Sequence, residues 1–140
     1  MRIHMTTYKS FKKLPQTIAQ CFPDLFSGTT VERDSNREFI TVAFNGEIPV
    51  ACVYGEVECA VVNCKDGLNT KVHINRIEVM DSEKGKGCGK ALVELIIQRY
   101  TPYEIYLDPL DEAVPFWKRI GFRMGRDGCM HRKFKTPKIY

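Results

Sequence analysis

The sequence predicts one α/β domain over residues 1–140, and three observations carry that expectation. The first is size: at 140 residues the chain is long enough to bury one core, but too short for two ordinary domains. The second is a run of strand-like segments in the middle of the chain, punctuated by turn signals. The third is the change that follows, where a strand runs into a glycine-rich turn and then a helix, and a further strand and helix come after.

Taken in order, the opening MRIHMTTYKSFKKL is basic but has no apolar stretch behind it, so a secretion signal is not expected. Leu14 to Phe22 reads as a short helix after Pro15, with Ile18, Cys21 and Phe22 at helical spacing. The polar stretch FPDLFSGTTVERDSNRE reads as a surface loop. REFITVAF and IPVACVYGEVECAVVN form a hairpin at Asn45-Gly46, and Lys65-Asp66-Gly67 turns the chain into a third strand, KVHINRIEVM. A helix over ALVELIIQRY stops at Pro102, with Leu92, Leu95, Ile96 and Tyr100 as an apolar stripe widened by Val93 and Ile97. YEIYLDP is a strand. Asp111 to Ile120 is a helix with Asp111 as N-cap, Pro115 in or near its first turn and Gly121 at its stop. FRMGRDGCMHRKF closes the chain as a hairpin around Arg126-Asp127-Gly128.

Composition narrows the function classes. A hydrophobic content of 44% with 27% charged residues excludes disordered and collagen-like chains. No apolar run approaches the length of a membrane helix, so no membrane partner is expected. The six cysteines form no Cys-x-x-Cys pair and no His pair at metal spacing accompanies them, so neither zinc nor any other metal is expected. They read as free thiols in a reducing compartment, which implies a cytoplasmic protein. Residues 118–140 hold eight Lys or Arg against the single acid Asp127, and the rest of the chain holds 13 basic against 16 acidic residues. Such a basic edge suits a polyanion, whether cofactor phosphate, nucleic acid or acidic protein, or is a solvated face.

The informative segment is RIEVMDSEKGKGCGKALVELI. Gly85, Gly87 and Gly89 let the backbone approach a ligand closely, the helix that follows adds unpaired N–H groups, and Lys84, Lys86 and Lys90 add charge. The result is a phosphate cradle. A P-loop aligned on Gly89-Lys90 would need glycine at Lys84 and a hydroxyl at Ala91. A dinucleotide fingerprint begun at Gly85 ends on Lys90, and begun at Gly87 ends on Leu92. Both fail.

Lys84-Gly85-Lys86-Gly87-Cys88-Gly89 resembles instead the pyrophosphate loop, [RQ]-x-x-G-x-[GA], of the GNAT superfamily of acyl-CoA-dependent N-acyltransferases, with Lys in place of the usual Arg or Gln. AVPFWKRIGF, residues 113–122, is similar to that family's A-x-x-[FL]-Y-x-x-x-GF helix, and the two motifs stand in the right order with one strand between them. The resemblance implies a three-layer fold: a central, mostly antiparallel mixed sheet of six to seven strands flanked by about four helices. It implies acetyl-CoA as cosubstrate, held by Lys84, Gly85, Lys86, Gly87, Cys88, Gly89 and Lys90, with Val79 ending the strand that pairs with the pantetheine arm.

The implied reaction is direct attack of an amine on the thioester in a ternary complex. A lysine-type amine, with a pKa of ~10.4, must lose a proton first. Glu78 is the candidate base, directly or through water, although Arg76 shares its face and the two would also suit a surface pair. His73 is a lesser candidate, and Asn75 could position a water. The family's acid, a tyrosine on the second motif's helix, is replaced by Trp117, which would pack along the pantetheine or in the core. Tyr106, Tyr103 or water is then left to protonate the thiolate. His4 and His131 read as bystanders, and Cys88 as an inward-facing packing residue. Three functions stay open: an N-acetyltransferase acting on a small-molecule or protein amine, a CoA-binding module with little catalysis, and a nucleic-acid-associated acyltransferase. Acceptor choice would lie in residues 14–38 and 121–134, and edge-strand pairing into a homodimer is a further possibility the family implies.

Overall fold

A computed structural model of the chain describes residues 3–26, 37–59 and 70–133. The turn expected at Lys65-Asp66-Gly67, most of the loop before the first hairpin, Cys64, the Cys59 side chain, and Lys135 and Lys138 of the basic end lie outside the described residues. Strands β1 (Ile3–Tyr8), β2 (Glu38–Asn45), β3 (Ile48–Cys59), β4 (Thr70–Val79), β5 (Glu104–Leu107), β6 (Arg123–Met124) and β7 (Met130–Arg132) form one sheet in the order β1-β2-β3-β4-β5-β7-β6. Every neighbouring pair is antiparallel except β4–β5, as expected when a helical crossover rather than a hairpin links two strands. The mixed, mostly antiparallel sheet is therefore as anticipated.

Two apolar clusters sandwich the sheet. Along β2, Phe39 and Ala43 face one cluster while Ile40, Val42 and Phe44 face the other. With both faces covered, the strand reads as an almost unbroken apolar run. The first cluster is closed by α3 (Cys88–Tyr100), through Leu92, Val93, Ile96 and Ile97, and by Trp117 of α4 (Val114–Arg119). Leu95 and Tyr100, counted in the stripe from the sequence, are only half-buried. The second cluster is closed by α1 (Gln16–Ala19) and α2 (Pro23–Phe26), with Leu14, Phe22 and Leu25 pointing inward.

Three expectations are corrected. The Leu14–Phe22 helix is a 3-10 turn at Phe11–Lys13 followed by two single-turn helices, because Pro23 disfavours helical backbone at Phe22 and restarts the helix after it. Asp111 does not cap α4. It opens a 3-10 turn (Asp111–Ala113), and α4 starts at Val114 with Pro115 in its first turn, beyond the reach of the Asp111 side chain. The opening segment, read only as a basic terminus, is strand β1, packed through Ile3 and Met5 onto the first cluster.

Candidate active site

The cradle forms where β4 hands over to α3. A 3-10 turn (Asp81–Glu83) leads into Gly85 (φ 83°) and Gly87 (φ 82°), both in the left-handed region that side-chain-bearing residues avoid. Gly87 occupies the N-cap of the 13-residue α3, so no side chain competes for the first helical N–H groups. Gly89 is required for a different reason: a Cβ there would stand 3.2 Å from Val79 Cγ2 and 3.6 Å from Phe116 Cζ. Helix, strand and α4 meet at that point.

Above the loop lies a cleft of ≈ 500 Å³. Val79, Lys84, Gly85, Gly87, Cys88, Gly89 and Lys90, all expected to contact the cosubstrate, line it. Lys86 and Trp117 do not. Trp117 is 3% exposed and meets Phe116 and Phe122 edge-on, so it is a core residue, and the aromatic wall of the cleft is its neighbour Phe116. Glu83, Arg119 and Ile120 also line the cleft without having been singled out from the sequence. Each loop lysine has an acidic neighbour: Lys84 Nζ lies 2.9 Å from Asp81 Oδ1, Lys86 Nζ 3.4 Å from Glu83 Oε2 and Lys90 Nζ 3.9 Å from Glu94 Oε1. The hydrogen bond with Lys84 holds the Asp81 carboxyl below its usual range, and the same contact raises Lys84. The cradle therefore offers phosphate its backbone N–H groups more than free charge.

On β4 the cleft is lined by Val79, the last residue of the strand. The parallel β4–β5 ladder spans only Lys71–His73 against Glu104–Tyr106, and beyond it the two strands part. A register shift against β3, between Tyr54 and Gly55, places Asn75 as an extra residue in β4 just past that point. Beyond the bulge Arg76 and Glu78 share a face, but they do not pair with each other. Arg76 Nη1 donates to the Asp24 carbonyl (2.7 Å), and Glu78 Oε1 accepts from the Leu25 N–H (2.9 Å). Burial raises the Glu78 carboxyl above its usual range. The Leu25 hydrogen bond opposes that shift, and the nearby Asp24 and Asp81 charges add to it. Cys52, opposite Glu78 on β3, is a buried thiol pushed upward by burial and then by Glu78.

Tyr106 is not brought together with Glu78. It sits at the closed end of the splay, opposite His73 on β4 and His131 on β7, and stacks with both at 4.7 and 5.9 Å between ring centroids. Its hydroxyl donates to Glu58 Oε2 at 2.5 Å. Burial and that carboxylate both raise the phenol, so its proton is held rather than offered. His131, read as a bystander, belongs to this row and contacts Asp127 at 2.8 Å. Tyr103 packs against the first apolar cluster, and His4 stacks on Phe44. Among the described residues no helix is long and apolar enough to cross a membrane.

Residues 24–134 match the family model of the acetyltransferase (GNAT) domain. A Bacillus pumilus (strain SAFR-032) protein described as an uncharacterized N-acetyltransferase is 24% identical over 133 residues, which are 95% of this chain and 82% of that protein. Arabidopsis thaliana NAA60, solved in complex with acetyl-CoA, shares the fold with a TM-score of 0.68 at 17% identity, over 94% of this chain and 98% of that one. The aminoglycoside acetyltransferase meta-AAC0020, from an uncultured soil metagenomic sample and solved with sisomicin, gives 0.64 at 17% identity, over 85% and 87%. The structural likenesses speak for the fold, and the family match covers most of the chain: this protein belongs to the GNAT acetyltransferase family and is an acyltransferase.

Proposed function

We propose that the domain transfers the acetyl group of acetyl-CoA to a primary amine by direct attack. The observation that carries this reading is the glycine cradle with its cleft at the end of β4, whose wall residue Val79 directly follows Glu78 on the strand. The N–H groups at Gly87–Gly89 hold the pyrophosphate, Val79 and Phe116 wall the arm, and Lys90 and Arg119 stand ready for further phosphate. Glu78 takes the proton of the incoming ammonium. Its raised carboxyl is the better matched to that task, because a base works best when its pKa approaches the working pH. The amine nitrogen then bonds to the thioester carbonyl carbon, the carbon–sulfur bond breaks, and the nitrogen sheds its second proton. Water returns a proton to the thiolate, since Trp117 is buried and the Tyr106 proton is held by Glu58.

The same two facts about Trp117 and Tyr106 favour the second reading, a CoA-binding module with little turnover. Calorimetric titration with acetyl-CoA, followed by thiol release against a panel of peptide N-termini, aminoglycosides and polyamines, separates the two. Saturable binding with amine-dependent thiol release that falls in Glu78→Gln supports the enzyme. Binding without release on any amine supports the module, and no binding at millimolar acetyl-CoA overturns both.

A further inference from the structure

We propose that Glu56, Glu58 and His73 form a divalent-metal site, suited to zinc, on the face of the sheet where β4 leaves β5. Glu56 and Glu58 lie two residues apart on β3 and so point to the same face, and His73 is the direct register partner of Glu56 on β4. Both strands are paired into the sheet, so the donors stand on rigid backbone rather than on a loop. One donor atom from each of the three side chains lies within 4.8 Å of the other two. His73 Nδ1 is 3.9 Å from Glu56 Oε1 and 3.9 Å from Glu58 Oε1. That spacing is too long for hydrogen bonds, so the imidazole and the two carboxylates surround a gap instead of closing on one another.

The surroundings hold the donors in place. Glu58 Oε2 is occupied by the Tyr106 hydroxyl, which turns Oε1 toward His73. The Tyr106 ring lies against the imidazole at 4.7 Å and 25° between planes, fixing its orientation. Outer partners of this kind set the direction of metal ligands. Charge points the same way. Lys71, the register partner of Glu58, is drawn instead to Glu104 at 3.1 Å. Both carboxylates have His73 as an ion-pair partner.

The donor set selects the ion. Calcium and magnesium want about six or more oxygen ligands, whereas imidazole with carboxylates suits zinc. Zinc bonds of ~2.0–2.1 Å place tetrahedral ligand atoms roughly 3.3 Å apart, so each carboxylate must close on the imidazole by about half an ångström, and the two carboxylates on each other by up to about 1.5 Å. Three protein ligands leave a fourth position to water. This proposal stands apart from acetyl transfer, since neither the cradle nor Glu78 takes part in it.

The test is calorimetric titration of the chelator-treated, reduced full chain with zinc chloride, with His73→Asn, Glu56→Gln and Tyr106→Phe alongside. One micromolar site is expected in the wild type. It should be lost or weakened at least tenfold in His73→Asn and Glu56→Gln, and weakened by about 10–100-fold in Tyr106→Phe. Metal-free thermal melts confirm that each variant is folded, and Glu56→Gln, at a half-exposed side chain, serves if His73→Asn is not. Binding that survives intact in both ligand variants would place the ion elsewhere, on the thiols or at His131 and Asp127, and overturn the proposal. Absence of binding to the wild type at millimolar zinc would overturn it as well.

Discussion

Gly55→Ala tests the packing at the β3–β4 register shift. Gly55 sits where the β3–β4 register shifts, and a Cβ there would fall 2.5 Å from Phe39 Cζ and 2.6 Å from the His73 carbonyl oxygen. The ring can turn away, but the carbonyl belongs to a paired strand and moves only with the backbone. Overpacking of this kind costs about 1–3 kcal/mol, and the backbone contact puts Gly55→Ala near the upper end. At roughly 2–4 °C per kcal/mol for a chain near this size, the melting temperature should fall by about 6–12 °C. Urea unfolding monitored by circular dichroism measures the loss. In Phe39→Leu/Gly55→Ala the ring contact is gone, so the double variant should be more stable than the sum of the singles by about 0.5 kcal/mol or more. It should still fall short of Phe39→Leu alone, because the carbonyl contact persists. A Gly55→Ala loss below about 0.5 kcal/mol, the range of an ordinary surface change, would refute the reasoning.

Other outcomes follow from the same geometry. Gly87→Ala meets no atom within 4 Å but must hold φ near 82°, so it should cost about 1–2 kcal/mol of stability and, measured calorimetrically, weaken acetyl-CoA binding. Glu78→Gln should lower kcat by about 10²–10⁴-fold. In the wild type the acidic limb of kcat/KM should lie above the usual glutamate range, since the base must be ionised to act and its carboxyl is raised; the glutamine variant should lack that limb. Linkage has the opposite sense: a raised carboxyl favours the fold below its unfolded pKa, and that contribution fades as pH rises through the folded value. Asp81→Asn frees Lys84 from its 2.9 Å partner and should tighten acetyl-CoA binding by less than about tenfold, because exposed pairs are weak. An unchanged or weaker affinity would show that Lys84 does not reach the phosphates.

What the sequence made legible was local. The loop from Lys84 to Gly89 could be read because its backbone turns on glycines at fixed spacing, and Gly46 likewise announced its hairpin at φ 63°. The phase of a six-residue helix could not be read: Phe116 and Trp117 are adjacent aromatics, and only tertiary packing decides which faces the core and which the cleft. The row of His73, Tyr106 and His131 comes from three strands far apart in the chain, so no short window could show it. β1 escaped because its alternation is thin, with Ile3 and Met5 half-buried on the edge of the sheet. Glu83 looked like loop polarity and proved to be part of the cleft wall.

The three-rung ladder between β4 and β5 has a consequence for how occupancy of this protein can be watched. From Ile74 to Val79 the β5-facing edge of β4 has no strand beside it among the described residues, although it runs through the middle of a seven-stranded sheet. Because successive N–H groups of a strand point to alternate edges, past the Asn75 bulge every second amide from Arg76 to Val79 faces β3 and the others face the open edge. In deuterated buffer the free set exchanges quickly and the bonded set slowly. A ligand that lays its own amides along that edge slows the fast set alone, so an alternating pattern of protection over Arg76–Val79 would report the bound arm without any label on the ligand.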